Sequence, residues 1–179
     1  MLRKLALAAA ALVVTGSAAM AADLYVPETA APIVEATGTS FEGFYAGAQL
    51  GGYFQEDASQ VLIGGVIGYN FATDPIFAGV ELQGNYYFEG DFNAAGEVLA
   101  LGKLGFLASD AFAIYAAGGV GYVWEDGGDD YSEFALGVGA EYKVTDDMSV
   151  RADLLGIGYD DGGDTFDAAR ATVGVLWHF

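Results

Sequence analysis

The 179-residue chain contains one histidine, His178, beside the C-terminal Phe179. An imidazole can act as a general base in acyl transfer when a nucleophile and an orienting acid lie within hydrogen-bond reach. No serine stands near His178 in the same side-chain phase, so it reads as a boundary residue of a final strand. Cysteine is absent, which removes disulfides and thiolate chemistry. No phosphate loop or zinc-ligand spacing occurs. Two acidic stretches resemble each other, EDGGDD (125–130) and DDGGD (160–164). Clustered carboxylates can hold Ca²⁺ or Mg²⁺ through oxygen, but neither stretch follows D-x-[DN]-x-[DN]-G. They read as solvated, self-repelling loops. No catalytic set, cofactor or resident metal is expected, and the chain reads as a non-enzyme.

The remaining charged residues carry more information. Beyond Arg3 and Lys4, the basic residues are Lys103, Lys143, Arg151 and Arg170, against 25 acidic residues in all. So acidic a surface repels nucleic acid and excludes that partner class. The four bases share one phase of an alternating pattern with Glu81, Glu133, Glu141 and Asp153. The rest of that phase is mostly glycine, including Gly47, Gly68, Gly79, Gly119, Gly137 and Gly139. A solvated face would be richer in charge than this. Small residues leaving room for long charged ones describe a crowded interior, where charges must be paired. The eight charged residues are therefore expected to form an enclosed network, with partners that sequence does not assign.

The elements that position these residues are strands. Apolar residues alternate over Phe44–Phe54, Val61–Phe71, Ile76–Phe88, Glu97–Leu107, Ala113–Trp124, Glu133–Val144, Ser149–Tyr159 and the terminal run ATVGVLWHF (171–179). A period of two marks a strand with one apolar face, and no segment has a helical period. The seventh segment is the weakest. ATDP (72–75), ASDA (108–111) and TDDM (145–148) read as short turns. QEDASQ (55–60), EGDFNAAG (89–96), EDGGDDYS (125–132) and DDGGDTFD (160–167) read as longer acidic loops.

Short turns at one end and longer loops at the other predict an all-β fold, an eight-stranded antiparallel up-and-down transmembrane β-barrel. Aromatics at strand ends, Tyr53/Phe54, Tyr69/Phe71, Tyr86/Phe88, Tyr122/Trp124, Tyr142 and Trp177/Phe179, suggest interfacial girdles. The apolar face then looks toward lipid. An eight-stranded lumen is about wide enough for side chains to fill it.

Residues 1–21 have a basic start, an apolar run from Leu5 to Val14 and an Ala19-Met20-Ala21 site, the pattern of a secretory signal peptide. Residues 22–42 carry Pro27 and Pro32 without a clean period and read as an extended periplasmic tail. The barrel is expected over 43–179.

The signal peptide, the acidic proline-containing tail, the GFYAGAQLGG start (43–52) and the terminal phenylalanine together resemble the small outer-membrane β-barrel proteins of alphaproteobacteria, the Omp25/Omp31-like group, similar in fold to the OmpA transmembrane domain. The chain stops with the eighth strand, so no peptidoglycan-binding domain is expected after it. The resemblance implies that Trp177 and Phe179 form a C-terminal signal read by the barrel-assembly machinery. The expected location is the outer membrane, with its lipid and lipopolysaccharide as partners and divalent cations shared at the acidic loops. The expected role is structural, in envelope integrity, with a small porin-like channel for ions or solutes as the alternative.

Overall fold

The computed structural model describes residues 41–55, 58–88, 94–159, 166 and 168–179. The signal-peptide segment and nearly all of the proposed tail lie outside the described residues, as do parts of three loops. The elements are β1 (Gly43–Gln55), β2 (Ala58–Thr73), β3 (Ile76–Tyr87), β4 (Ala95–Ser109), β5 (Phe112–Glu125), β6 (Tyr131–Lys143), β7 (Met148–Tyr159) and β8 (Ala168–His178). Each pairs antiparallel with the next, and β1 also pairs with β8, which closes the barrel. Closure satisfies every strand edge, the condition for a sheet to cross a bilayer.

The alternation read from the sequence is the alternation of burial. In β3 every second residue is buried, Phe77 through Tyr87. Val80 is 58% exposed, and its neighbour Glu81 is 5% exposed. Leu50, Ile67, Leu104, Leu136 and Val173 likewise stand on the outside, while Lys103, Arg151 and Arg170 stand within. The barrel is inside-out relative to a water-soluble one: hydrocarbon outside, ions inside. Such a surface is stable against lipid and not against water.

Glycines on the inner phase make the space that the long side chains use. A Cβ on Gly68 would collide with the ring and hydroxyl of Tyr45. One on Gly139 would strike Tyr115 and the Asp153 carboxylate.

Two expectations need correction. QEDASQ (55–60) is not a six-residue loop: β1 and β2 remain paired to Gln55↔Ala58, leaving residues 56–57 between them. Edge-to-edge pairing satisfies more backbone groups than a solvated loop would. Tyr53, assigned to a girdle, turns into the lumen, because it lies one residue out of phase with Phe54. The outward girdle residues include Tyr86, Tyr122 and Trp124 at the loop end, and Phe71, Tyr142 and Trp177 at the turn end. The seventh strand, the weakest in pattern, is fully formed and paired on both sides.

Candidate functional site: the polar lumen

The middle of the lumen is organised around Glu81 on β3. Its Oε2 accepts hydrogen bonds from Tyr45 Oη at 2.6 Å, Lys103 Nζ at 3.1 Å and Arg151 Nη1 at 2.6 Å. Its Oε1 accepts from Gln83 Nε2 at 2.7 Å and Arg151 Nη2 at 3.0 Å. Arg151 therefore grips Glu81 with both prongs of its guanidinium, the strong bidentate form of the pair. Its Nε lies 3.0 Å from Asp153 Oδ2, close enough to attract but too poorly aligned for a hydrogen bond. Tyr115 Oη donates to the other Asp153 oxygen at 2.5 Å. The Lys103 ammonium sits between two aromatic faces, 4.5 Å from the Tyr45 centroid and 4.9 Å from that of Tyr115. These cation–π contacts replace part of the hydration the ammonium has lost.

A second cluster lies toward the loop end. Arg170 Nη1 donates to both oxygens of Glu97, at 2.5 and 2.9 Å. Tyr87 Oη also donates to Glu97, and Asn85 Nδ2 does so at 3.0 Å. Gln49 and Gln83 join the two clusters: Arg151 Nη2 donates to Gln49 Oε1 at 3.0 Å, and Arg170 Nη2 to Gln83 Oε1 at 2.9 Å. Gln49 Nε2 completes the link to Gln83 Oε1 at 3.1 Å. Charges enclosed in a medium of low polarity are tolerated only when paired in this way.

A third group closes the turn end. Glu141 Oε1 accepts from Ser149 Oγ at 2.7 Å and lies 2.9 Å from His178 Nε2. Ser149 Oγ is itself 3.0 Å from His178 Nε2. Lys143 Nζ donates to the Asp146 carbonyl at 3.0 Å and lies 5.3 Å over the Phe41 ring. Phe41 is buried, stacked on Phe77 at 6.5 Å and edge-on to His178 at 6.3 Å.

The expectation that no serine neighbours His178 is therefore wrong. Strand β7 brings Ser149 beside it, in a register no single-strand reading contains. The trio still lacks the arrangement of a nucleophilic triad. That chemistry needs the acid and the nucleophile on different ring nitrogens. Here both meet Nε2, Nδ1 has no partner, and the serine proton is directed to the glutamate. Ser149 is fully buried.

All eight charged residues singled out in the sequence face inward, but they do not form one cluster. Glu81, Lys103, Arg151 and Asp153 meet in the middle. Arg170 pairs instead with Glu97, which sequence reading passed over although it sits immediately before Val98 in the inward phase. Glu141 takes His178. Glu133 makes no ion pair among the described residues, and its Oε1 has no hydrogen-bond partner. The same parity could have found Gln49, Gln83, Asn85 and the buried tyrosines Tyr45, Tyr87 and Tyr115. Trp177 and Phe179 both point outward, and the Phe179 amide donates to Phe44 O at 2.9 Å across the closing seam. EDGGDD lies on the solvated β5–β6 connection. DDGGD falls outside the described residues.

Comparison with known proteins agrees with this architecture. The family model of the outer membrane protein beta-barrel domain matches residues 7–179. No curated protein matches the chain in sequence. Among solved structures, the N-terminal β-barrel domain of Pseudomonas aeruginosa OprF is similar at TM-score 0.59 and 20% identity, covering 77% of this chain and 98% of that one. Ail, the attachment invasion locus protein of Yersinia pestis, is similar at TM-score 0.54 and 13% identity, covering 77% and 99%. Neisserial surface protein A is similar at TM-score 0.51 and 18% identity, covering 76% and 97%. At these identities the likeness is one of fold.

Proposed function

Since this chain belongs to the outer membrane protein β-barrel domain family and resides in the outer membrane, we propose that it is a structural component of the envelope rather than a pore or an enzyme. The observation that carries this reading is the filling of the lumen. Arg151 and Arg170 reach across it to Glu81 and Glu97, and Phe41 covers its turn end. A solute passing through would have to break paired, desolvated ions, each break costing on the order of 3–5 kcal/mol. What the protein contributes is a rigid wall with a lipid-matched exterior, supporting membrane integrity. Single-channel recording in planar bilayers tests this. No steady conductance is expected; discrete, long-lived openings would establish the porin-like alternative.

The finer affinity, to the alphaproteobacterial Omp25/Omp31-like group, rests on the signal-peptide pattern, the tail and the terminal phenylalanine. In that reading Trp177 and Phe179 are recognised by the barrel-assembly machinery. The acidic loops share divalent cations with lipopolysaccharide phosphates. Chelation with EDTA should then loosen the association of the barrel with lipopolysaccharide, and unchanged co-purification would refute the cation bridge.

A further inference from the structure

The loop end of the lumen holds a cavity of about 320 Å³ that the polar network leaves open. Two tyrosine pairs line opposite walls. Tyr53 and Tyr87, from β1 and β3, meet edge to face at 5.8 Å. Tyr131 and Tyr159, from β6 and β7, do so at 5.1 Å. Glu133 lines the same cavity. It is 5% exposed, its Oε1 has no hydrogen-bond partner, and no cationic side chain lies within ion-pair distance among the described residues. Arg170, the guanidinium that acts on Glu133, is gripped by both oxygens of Glu97, and the Glu97 carboxyl also lies within hydrogen-bond reach of Glu133. Gly121, opposite Glu133 in register, leaves the carboxylate its room: a Cβ there would sit 2.8 Å from Oε1.

Glu97 and Glu133 thus share one guanidinium, so this end of the lumen has one carboxyl group more than it has cations; burial makes that costly, and the excess carboxyl adjoins an open space walled by aromatic faces. An inorganic divalent cation asks for about six oxygen ligands, and no group of three or more metal-ligating side chains occurs among the described residues. An ammonium asks for one carboxylate and several π faces. The volume lies at the small end of ligand pockets. Above it, Asp126, Asp129 and Asp130 are solvent-exposed, and a negative rim concentrates cations at a mouth.

We propose that the loop-end cavity is a binding site for a small organic cation, an alkylammonium compound, with Glu133 as its counter-ion and the tyrosine pairs as its walls. The proposal is independent of the structural role above, because a sealed lumen beneath the cavity does not prevent binding at its mouth.

The test is calorimetric titration of the full barrel in detergent micelles with tetramethylammonium chloride and with putrescine, using sodium chloride at matched ionic strength and tert-butanol as controls. Saturable 1:1 binding of at least one ammonium probe is expected. Glu133→Gln should weaken it by about tenfold, the loss of one charge-assisted contact. Tyr159→Leu should weaken it as well, with the gel mobility of the unboiled barrel unchanged in both variants. Wild-type NMR provides a check independent of any substitution: ring signals of Tyr131 and Tyr159 should shift on titration, and those of Tyr45 and Tyr115 in the sealed middle should not. Equal binding of tert-butanol, unchanged affinity in Glu133→Gln, absence of saturation, or ring shifts confined to the middle would each overturn the proposal.

Discussion

Arg151 and Glu81 are separated by 70 residues and by the width of the lumen, yet they form a two-pronged pair at 2.6 and 3.0 Å. In register, the residue opposite Arg151 is Glu141 on the adjacent strand. The guanidinium bypasses that neighbour and crosses the barrel, leaving Glu141 to Ser149 and His178. This enclosed pair thus ties together β3 and β7, strands that share no backbone hydrogen bonds.

Removing this tie should be costly. Arg151→Ala leaves Glu81 with Lys103 as its one ion-pair partner among the described residues and strips Asp153 of its cation. A loss of about 3–5 kcal/mol is expected for a broken buried pair. Urea unfolding in detergent micelles measures it, and an unchanged midpoint would show that the network does not hold the barrel. The double variant Arg151→Met/Asp153→Asn should recover part of the loss, since Glu81 keeps Lys103 and no carboxylate in the middle of the lumen is left without a cation.

Glycines on the two faces should respond oppositely. Gly68→Leu places a side chain where Tyr45 already stands and should prevent closure or cost well over 1–3 kcal/mol, the usual overpacking range. A Cβ on Gly84 meets nothing within 4 Å, on the lipid side, so Gly84→Leu should fold with undiminished stability. Refolding yield, followed by the mobility of unboiled protein on gels, distinguishes the two. Equal behaviour would contradict the assigned faces.

The lipid-facing side can be probed by charge. Leu136, 56% exposed, lies near the middle of β6. Leu136→Arg should destabilise the barrel by roughly 2–4 kcal/mol in bilayers, as expected for arginine near the membrane midplane. The same substitution at Val144, beyond the turn end of β6, should cost about 0–1 kcal/mol. Absence of this depth dependence in lipid vesicles would argue against a membrane-embedded belt.

The terminal phenylalanine separates assembly from stability. The seam contact of Phe179 is made by its backbone amide, and its side chain is 84% exposed. Phe179→Ala should therefore leave the melting temperature of protein refolded in micelles nearly unchanged. In cells the same variant should lower the amount of folded protein in the outer membrane, if the ring is read during assembly. An equal loss in both settings would assign Phe179 a packing role instead.

Much of the architecture was legible because it depends on a local period. Strand parity needs only neighbouring residues: Val80 out, Glu81 in. The identity of the outer solvent follows from what occupies each phase, since glycine interleaved with a few charges suits an enclosed face. Parity reaches further still, for Glu97, Gln49 and Tyr87 stand in the inward phase as plainly as Arg170 does. Tyr53 shows the converse, where grouping aromatics by position along a strand overrode its phase.

What tertiary structure alone decided is who meets whom inside. Side chains in the lumen come from strands distant in sequence, and their heights depend on the stagger accumulated around the closed sheet. A shift of one strand by two residues would keep every side chain on its face and change every partner. So the sequence determined that Arg151 is enclosed and must find a carboxylate, while closure of the barrel determined that the carboxylate is Glu81. The same closure set Ser149 beside His178, and left Glu133 facing a cavity with no cation of its own among the described residues.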